Sequence, residues 1–159
     1  MADTFDKIEE LCKKYYDDFD DDCSGFVVAV TKDLGITLPQ PADTMISTLD
    51  ATWQQVGTGS DAANLAQTGV LVLVGLKSTD QNQIDGPVRH GHIAIVAPGP
   101  LYRAKYPMVW CGGGINGRSK GTKSVGEVWS SALISKDKKK TFGSADRDDV
   151  TYYRQPPSR

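Results

Sequence analysis

The order of the chain's periodicities predicts an α+β fold in which a helix carrying a cysteine packs against a mainly antiparallel sheet. Two observations lead there. Phe26, Val27, Val30 and Leu34 follow Cys23 at helical spacing and Gly35 ends the run. Val70–Val74 and His92–Val96 are unbroken apolar runs of strand length, each set off by turn-forming or polar residues. At 159 residues the chain is expected to form a single domain over 1–159, large enough to bury a substantial core.

Taken in order, Phe5, Ile8, Leu11, Cys12 and Tyr15 place a helix over residues 3–16, with Asp3 or Thr4 as its cap. Cys12 falls on the apolar face and reads as a core residue; a Cys12–Cys111 disulfide in an oxidising compartment stays open. The acidic run Asp17–Asp22 alternates like a calcium loop. It has Cys23 where such a loop needs glycine and Ala29 where it needs glutamate, so it reads as a solvated loop and no metal site is expected. Asp21 or Asp22 can cap the helix that Cys23 opens.

Leu38-Pro39-Gln40-Pro41 is a stiff extended connection, and a further helix begins at Asp43 with Met45, Ile46 and Leu49 inside. Trp53 is assigned to the core. Ser60 or Asp61 caps a short helix ending near Gly69. Residues 77–89 form a long polar loop with a turn at Asp85-Gly86-Pro87. His92–Val96 turns at Pro98-Gly99-Pro100, and Met108–Cys111 is its antiparallel return. Gly112-Gly113-Gly114 is a bend rather than a phosphate loop, because no Gly-Lys-Ser/Thr pattern follows. Ser124 caps a short helix with Val125, Val128 and Trp129. Lys138–Lys140 lies in a polar connection, Val150–Tyr153 is the closing strand, and the Pro-rich end frays.

Composition excludes several classes of function. With a formal net charge of −2, nothing suggests a nucleic-acid or membrane-surface footprint. The longest apolar run, Gly69–Leu76, is far short of a membrane span. The acidic start of the chain lacks the basic and apolar regions of a secretory signal, so export is expected to use another route. Three cysteines at wide spacing suggest neither a disulfide framework nor a zinc site, and no cofactor is expected.

Cys23 and His92 are the candidate chemistry. A lone cysteine is most often a small buried hydrophobe. In the first turn of a helix, however, unpaired backbone N–H groups and the dipole favour a thiolate, which is how a thiol becomes a nucleophile. The carboxylates of the acidic run oppose this, so the helix terminus and an imidazolium would have to outweigh them. A histidine opening a hydrophobic strand supplies the base. His90 shares a strand face with His92 and reads as an exposed histidine at a loop end. The backbone N–H groups of Cys23 and the residues after it are natural oxyanion donors.

Asp22-Cys23-Ser24-Gly25-Phe26-Val27, Leu73-Val74-Gly75-Leu76-Lys77, Gly91-His92-Ile93-Ala94, Gly99–Arg103 with Lys105–Met108, Trp110-Cys111-Gly112 and Lys123–Trp129 occur in that order. This set resembles the papain-like, NlpC-type cell-wall cysteine peptidases, and most closely the family-1 type VI secretion amidase effectors. The resemblance implies a papain-like NlpC-type fold with Cys23 as nucleophile and His92 as base. Cys111 would be the third residue orienting the imidazole, and Asp22, Ser24, Gly91 and Gly112 would line the substrate. It implies hydrolysis of the γ-D-glutamyl–meso-diaminopimelate bond of peptidoglycan stem peptides. It also implies synthesis in a bacterial cytoplasm, delivery by the type VI apparatus into a recipient's periplasm, and neutralisation by a cognate immunity protein. A papain-like acyltransferase places its histidine before its cysteine, the reverse of this order. An inactive cell-wall binding module would not be expected to keep both residues.

Overall fold

Val72–Leu76 and His92–Val96 are buried along their whole length, which puts them at the centre of the sheet rather than at its rim. The computed structural model describes residues 5–19, 22–77, 91–112, 118–129, 132–134, 140–142 and 146–156. The capping residues Asp3 and Thr4, Asp20 and Asp21, loop positions 78–89 with their turn, His90, Gly113, Gly114, Lys138 and Lys139 lie outside the described residues.

In chain order the elements are α1 (Asp6–Tyr15), a 3-10 turn (Tyr16–Asp18), α2 (Cys23–Asp33), α3 (Ala42–Thr52), β1 (Gln54–Val56), α4 (Gly59–Gln67), β2 (Val72–Leu76) and β3 (His92–Val96). Then come β4 (Met108–Cys111), β5 (Ser119–Ser124), α5 (Val125–Val128), β6 (Ala132–Ile134), β7 (Lys140–Phe142), α6 (Asp146–Asp149) and β8 (Thr151–Arg154). The fold is α+β, as expected. Six strands form one sheet in the order β1-β8-β2-β3-β4-β5, with every neighbouring pair antiparallel, and β6 and β7 pair separately.

Side-chain alternation assigns the helices to the two faces. Gly75 lies opposite Ile93, and the space a side chain would take at Gly75 is filled by Ile46 of α3 and by Ile93 itself. Val74 lies opposite Tyr152 and so faces the other way, and the Tyr152 hydroxyl reaches Gly59 at the start of α4. Helix α3 thus covers one face and α4 the other. Phe26, Val27 and Val30 of α2, with Met45 and Leu49 of α3, are wholly buried in the core. Trp53 joins them, as assigned from sequence.

Several boundaries differ from the sequence reading. Helix α4 is capped by Thr58, whose hydroxyl accepts from the Asp61 N–H at 3.0 Å, not by Ser60 or Asp61. Asp43 sits in the first turn of α3, with Pro41 at the capping position. The central strand begins at Val72 rather than Val70, and the last strand at Thr151 rather than Val150. Lys140 belongs to strand β7 rather than to a connection. All three cysteines are free, so Cys12 and Cys111 are not bridged.

Helix α5 is fixed by a capping box. The Ser124 hydroxyl accepts from the Glu127 N–H at 3.2 Å, while the Glu127 carboxylate accepts from the Ser124 N–H at 3.1 Å. Ser124 is fully buried, so its replacement leaves a donor without an acceptor. Ser124→Ala is expected to cost about 0.5–2 kcal/mol of stability, read as a lowered urea midpoint with an unchanged slope.

Candidate active site

The site is built where the start of α2 meets the ends of β3 and β4. Asp22 caps α2: its carboxylate accepts from the Gly25 N–H at 2.8 Å and from the Ser24 hydroxyl at 3.2 Å, and its carbonyl accepts from the Phe26 N–H at 3.0 Å. With those donors occupied, the N–H groups of Cys23 and Ser24 remain turned to the Cys23 sulfur. Two glycines allow the close approach. A Cβ on Gly112 would run into the backbone carbonyls of Phe19, at 2.5 Å, and Asp22, at 2.7 Å. A Cβ on Gly91 would run into the carboxylate of Asp43.

The Cys23 thiol therefore lies against the two peptide groups that flank His92. Its S–H donates to the Gly91 carbonyl at 3.8 Å, and the Ile93 N–H points back at the sulfur. Among the described residues no hydrogen bond joins thiol to imidazole. Cys23 is half-buried, while His92 is only 5% exposed. Because His92 precedes Ile93, its side chain leaves the strand on the face opposite α3 and meets the ring of Trp129 at 5.1 Å between centroids, tilted by 59°. The imidazole Nε2 is buried and has no hydrogen-bond partner among the described residues.

Burial dominates the electrostatics. It raises the Cys23 pKa above its ordinary value, and the charge of Asp22 adds to the rise; the N–H groups of Ile93, Ser24 and Cys23 itself pull the other way without prevailing. Burial alone brings the His92 pKa down to about 4. Burial thus favours the neutral form of each group, against the pull of the helix terminus on the thiol.

No family model matches the chain. Over 136 residues, 84% of this chain and 74% of the other, it is 40% identical to the peptidoglycan amidase Tse1 of Pseudomonas aeruginosa PAO1. The chain belongs to the type VI amidase effector family. In this family member the α+β architecture, with its antiparallel sheet and cysteine-bearing helix, accords with a papain-like amidase fold.

Of the residues singled out from sequence, the fold brings Asp22, Cys23, Ser24, Gly91, His92, Cys111 and Gly112 to one place. Asp22 is exposed beside the thiol, whereas Ser24 is buried and accepts from the Gln40 amide at 3.4 Å. Gly91 and Gly112 close against protein, so they offer a ligand backbone rather than an open groove. Cys111 is wholly buried on β4 and near enough to Cys23 for the two to interact electrostatically. Its pKa is pushed up to about 12 by burial, and among the described residues no hydrogen bond joins its thiol to the imidazole, whose Nε2 has no partner. The role expected of Cys111, holding His92 through a hydrogen bond, is therefore not seen. Trp129 was readable only as part of a short helix; its contact with His92 depends on how α5 returns to the sheet.

The neutral imidazole makes stability depend on pH. The unfolded chain binds a proton on His92 near 6.5, while the folded chain refuses it until about 4. Between these values the unfolded state holds more protons, so this contribution is complete above pH 6.5 and is lost as pH falls towards 4. The loss should amount to roughly 3 kcal/mol. Urea unfolding of wild type and His92→Gln at pH 7 and pH 4 checks it; parallel losses in the two proteins would show that His92 does not contribute.

Proposed function

We propose that this chain is a cysteine amidase that cuts the γ-D-glutamyl–meso-diaminopimelate bond of peptidoglycan stem peptides, with Cys23 as nucleophile and His92 as general base. The observation that carries this is the Cys23 sulfur, placed at a helix N-terminus against both peptide groups of His92 in a chain 40% identical to a peptidoglycan amidase. As substrate enters, the thiol turns from the Gly91 carbonyl and gives its proton to the imidazole while the sulfur attacks the γ-carbonyl carbon. The N–H groups of Cys23 and Ser24 receive the developing oxyanion. Collapse breaks the C–N bond, and the imidazolium returns the proton to the departing amine of diaminopimelate. The resulting thioester is hydrolysed by water that gives its proton to the same imidazole, and the thiol is restored.

Asp22, Ser24, Gly91 and Gly112 line the approach, the last two through backbone. In this sequence charge develops on sulfur and imidazole as the proton is transferred, where the N–H groups of Cys23, Ser24 and Ile93 stabilise the sulfur's share of it. Delivery by a type VI apparatus into a recipient's periplasm, and control by a cognate immunity protein, complete the reading. An inhibitor of that kind would press on Asp22 and Cys23, since His92 lies too deep to be covered directly.

Cys23→Ala should fold normally and release no new muropeptides from purified cell wall, as read by chromatography and mass spectrometry. Cleavage products identical to those of the wild type would sink the mechanism. Wild-type protein sent to the periplasm by a fused signal should lyse cells, while the same protein in the cytoplasm should be tolerated. Equal toxicity in both places would point to a target other than the cell wall.

A further inference from the structure

We infer that the indole of Trp129 is the group that orients the His92 imidazole and stabilises its protonated form during turnover, doing through its π face what a hydrogen-bonding side chain would do through an acceptor. The inference rests on His92 being the base proposed above.

Three observations carry it. The rings lie 5.1 Å apart at 59°, within the range in which a cation is attracted to an indole face and in the tilted geometry that aromatic pairs prefer. The Nε2 atom of His92, where an orienting acceptor would bind, is buried and unpartnered among the described residues, and Cys111 does not supply one. Trp129 is also held rigidly. It is wholly buried, its backbone N–H donates to the Val125 carbonyl at 3.1 Å, and the Val125 N–H donates to the Pro107 carbonyl at 2.9 Å just before β4, while the indole N–H has no partner among the described residues. A ring held by burial at the end of so anchored a turn limits the imidazole to the positions that pack against it.

The energetics point the same way. Burial opposes the charged imidazole and lowers its pKa. An imidazolium formed during thiol deprotonation must still be stabilised until the proton reaches the leaving amine. A desolvated indole face is the strongest of the aromatic partners for a cation. Trp129 is thus a positioning residue: it acts through His92 and does not touch the scissile bond.

The test replaces Trp129 site-specifically with mono-, di- and trifluorotryptophan, which drain the π face with little change of shape. Turnover is measured on a soluble stem peptide containing the γ-D-glutamyl–diaminopimelate bond. Expected is a stepwise fall in kcat with each fluorine, about tenfold over the series, with KM and thermal midpoint unchanged. A flat kcat across the series while His92→Gln is inactive would overturn the role of Trp129 and leave His92 as base. Wild-type kcat in His92→Gln would overturn both. Trp129→Phe, which keeps a weaker π face, should fall between the parent and Trp129→Leu in kcat; equal kcat in Phe and Leu variants of equal stability would also overturn the inference.

Discussion

The wedge formed by Asp22 and Cys23 between the ends of β3 and β4 is the constraint on which the site depends. It can enter only because Gly112 presents no side chain to the carbonyls of Phe19 and Asp22; Gly91, beside it, leaves room for the Asp43 carboxylate at the start of α3. Once seated, the wedge fixes the sulfur against the Gly91 carbonyl and the Ile93 N–H. Its approach is braced from outside the sheet: Arg118 donates to the Tyr16 carbonyl at 2.6 Å and lies 3.8 Å above the Tyr16 ring, while Trp110 meets that ring edge-on. The same Arg118 pairs with Asp17 at 3.5 Å, while the Asp17 side chain stays exposed to solvent, as expected of the acidic run.

Placing a nucleophile in a wedge has an electrostatic consequence. The helix N-terminus and the Ile93 N–H favour the thiolate, yet loss of water costs more than they return, and Asp22 adds to the cost. His92 is deeper still and shifts in the opposite direction for the same reason. In the mechanism proposed above, passing a proton between two groups that both resist charge is an activation step. The fixed dipoles around the sulfur and the indole against the imidazole then matter most when charge exists, which is where preorganisation lowers a barrier.

How much of this could be read in the sequence follows from how each element announces itself. Helix α2 and strands β3 and β4 carry apolar patterns of unmistakable period, and β3 and β4 have the limits expected of them. Strand β5 does not. Ser119-Lys120-Gly121-Thr122-Lys123-Ser124 has no apolar residue, because it is the outer strand of the sheet, where lysines guard an exposed edge. Its pairing is also interrupted between Val109 and Trp110, and the Ser119 hydroxyl spans the irregularity by donating to the Val109 carbonyl at 2.7 Å and accepting from the Lys123 N–H at 3.1 Å. Strand β1 and helix α6 are too short to show a period. For the candidate site, the motifs single out Cys23 and His92, which the fold brings together, but not the ring that meets His92: a family pattern points to a place on β4, while Trp129 arrives from the end of α5.

Register supplies the remaining link between core and site. Leu76 pairs with His92 and Gly75 with Ile93, so one face of β3 gives Ile93 and Ile95 to the α3 side while the other gives His92 to Trp129. A slip by one residue would send the imidazole into the aliphatic layer under α3 and Ile93 towards Trp129. What forbids the slip is Gly75, whose missing side chain is the space that Ile46 and Ile93 occupy together. Any larger residue at Gly75 would collide with Ile46 and Ile93. The apolar packing under α3 thus decides which side of the sheet His92 stands on, and a glycine with no chemistry of its own sets the direction in which the imidazole leaves the strand.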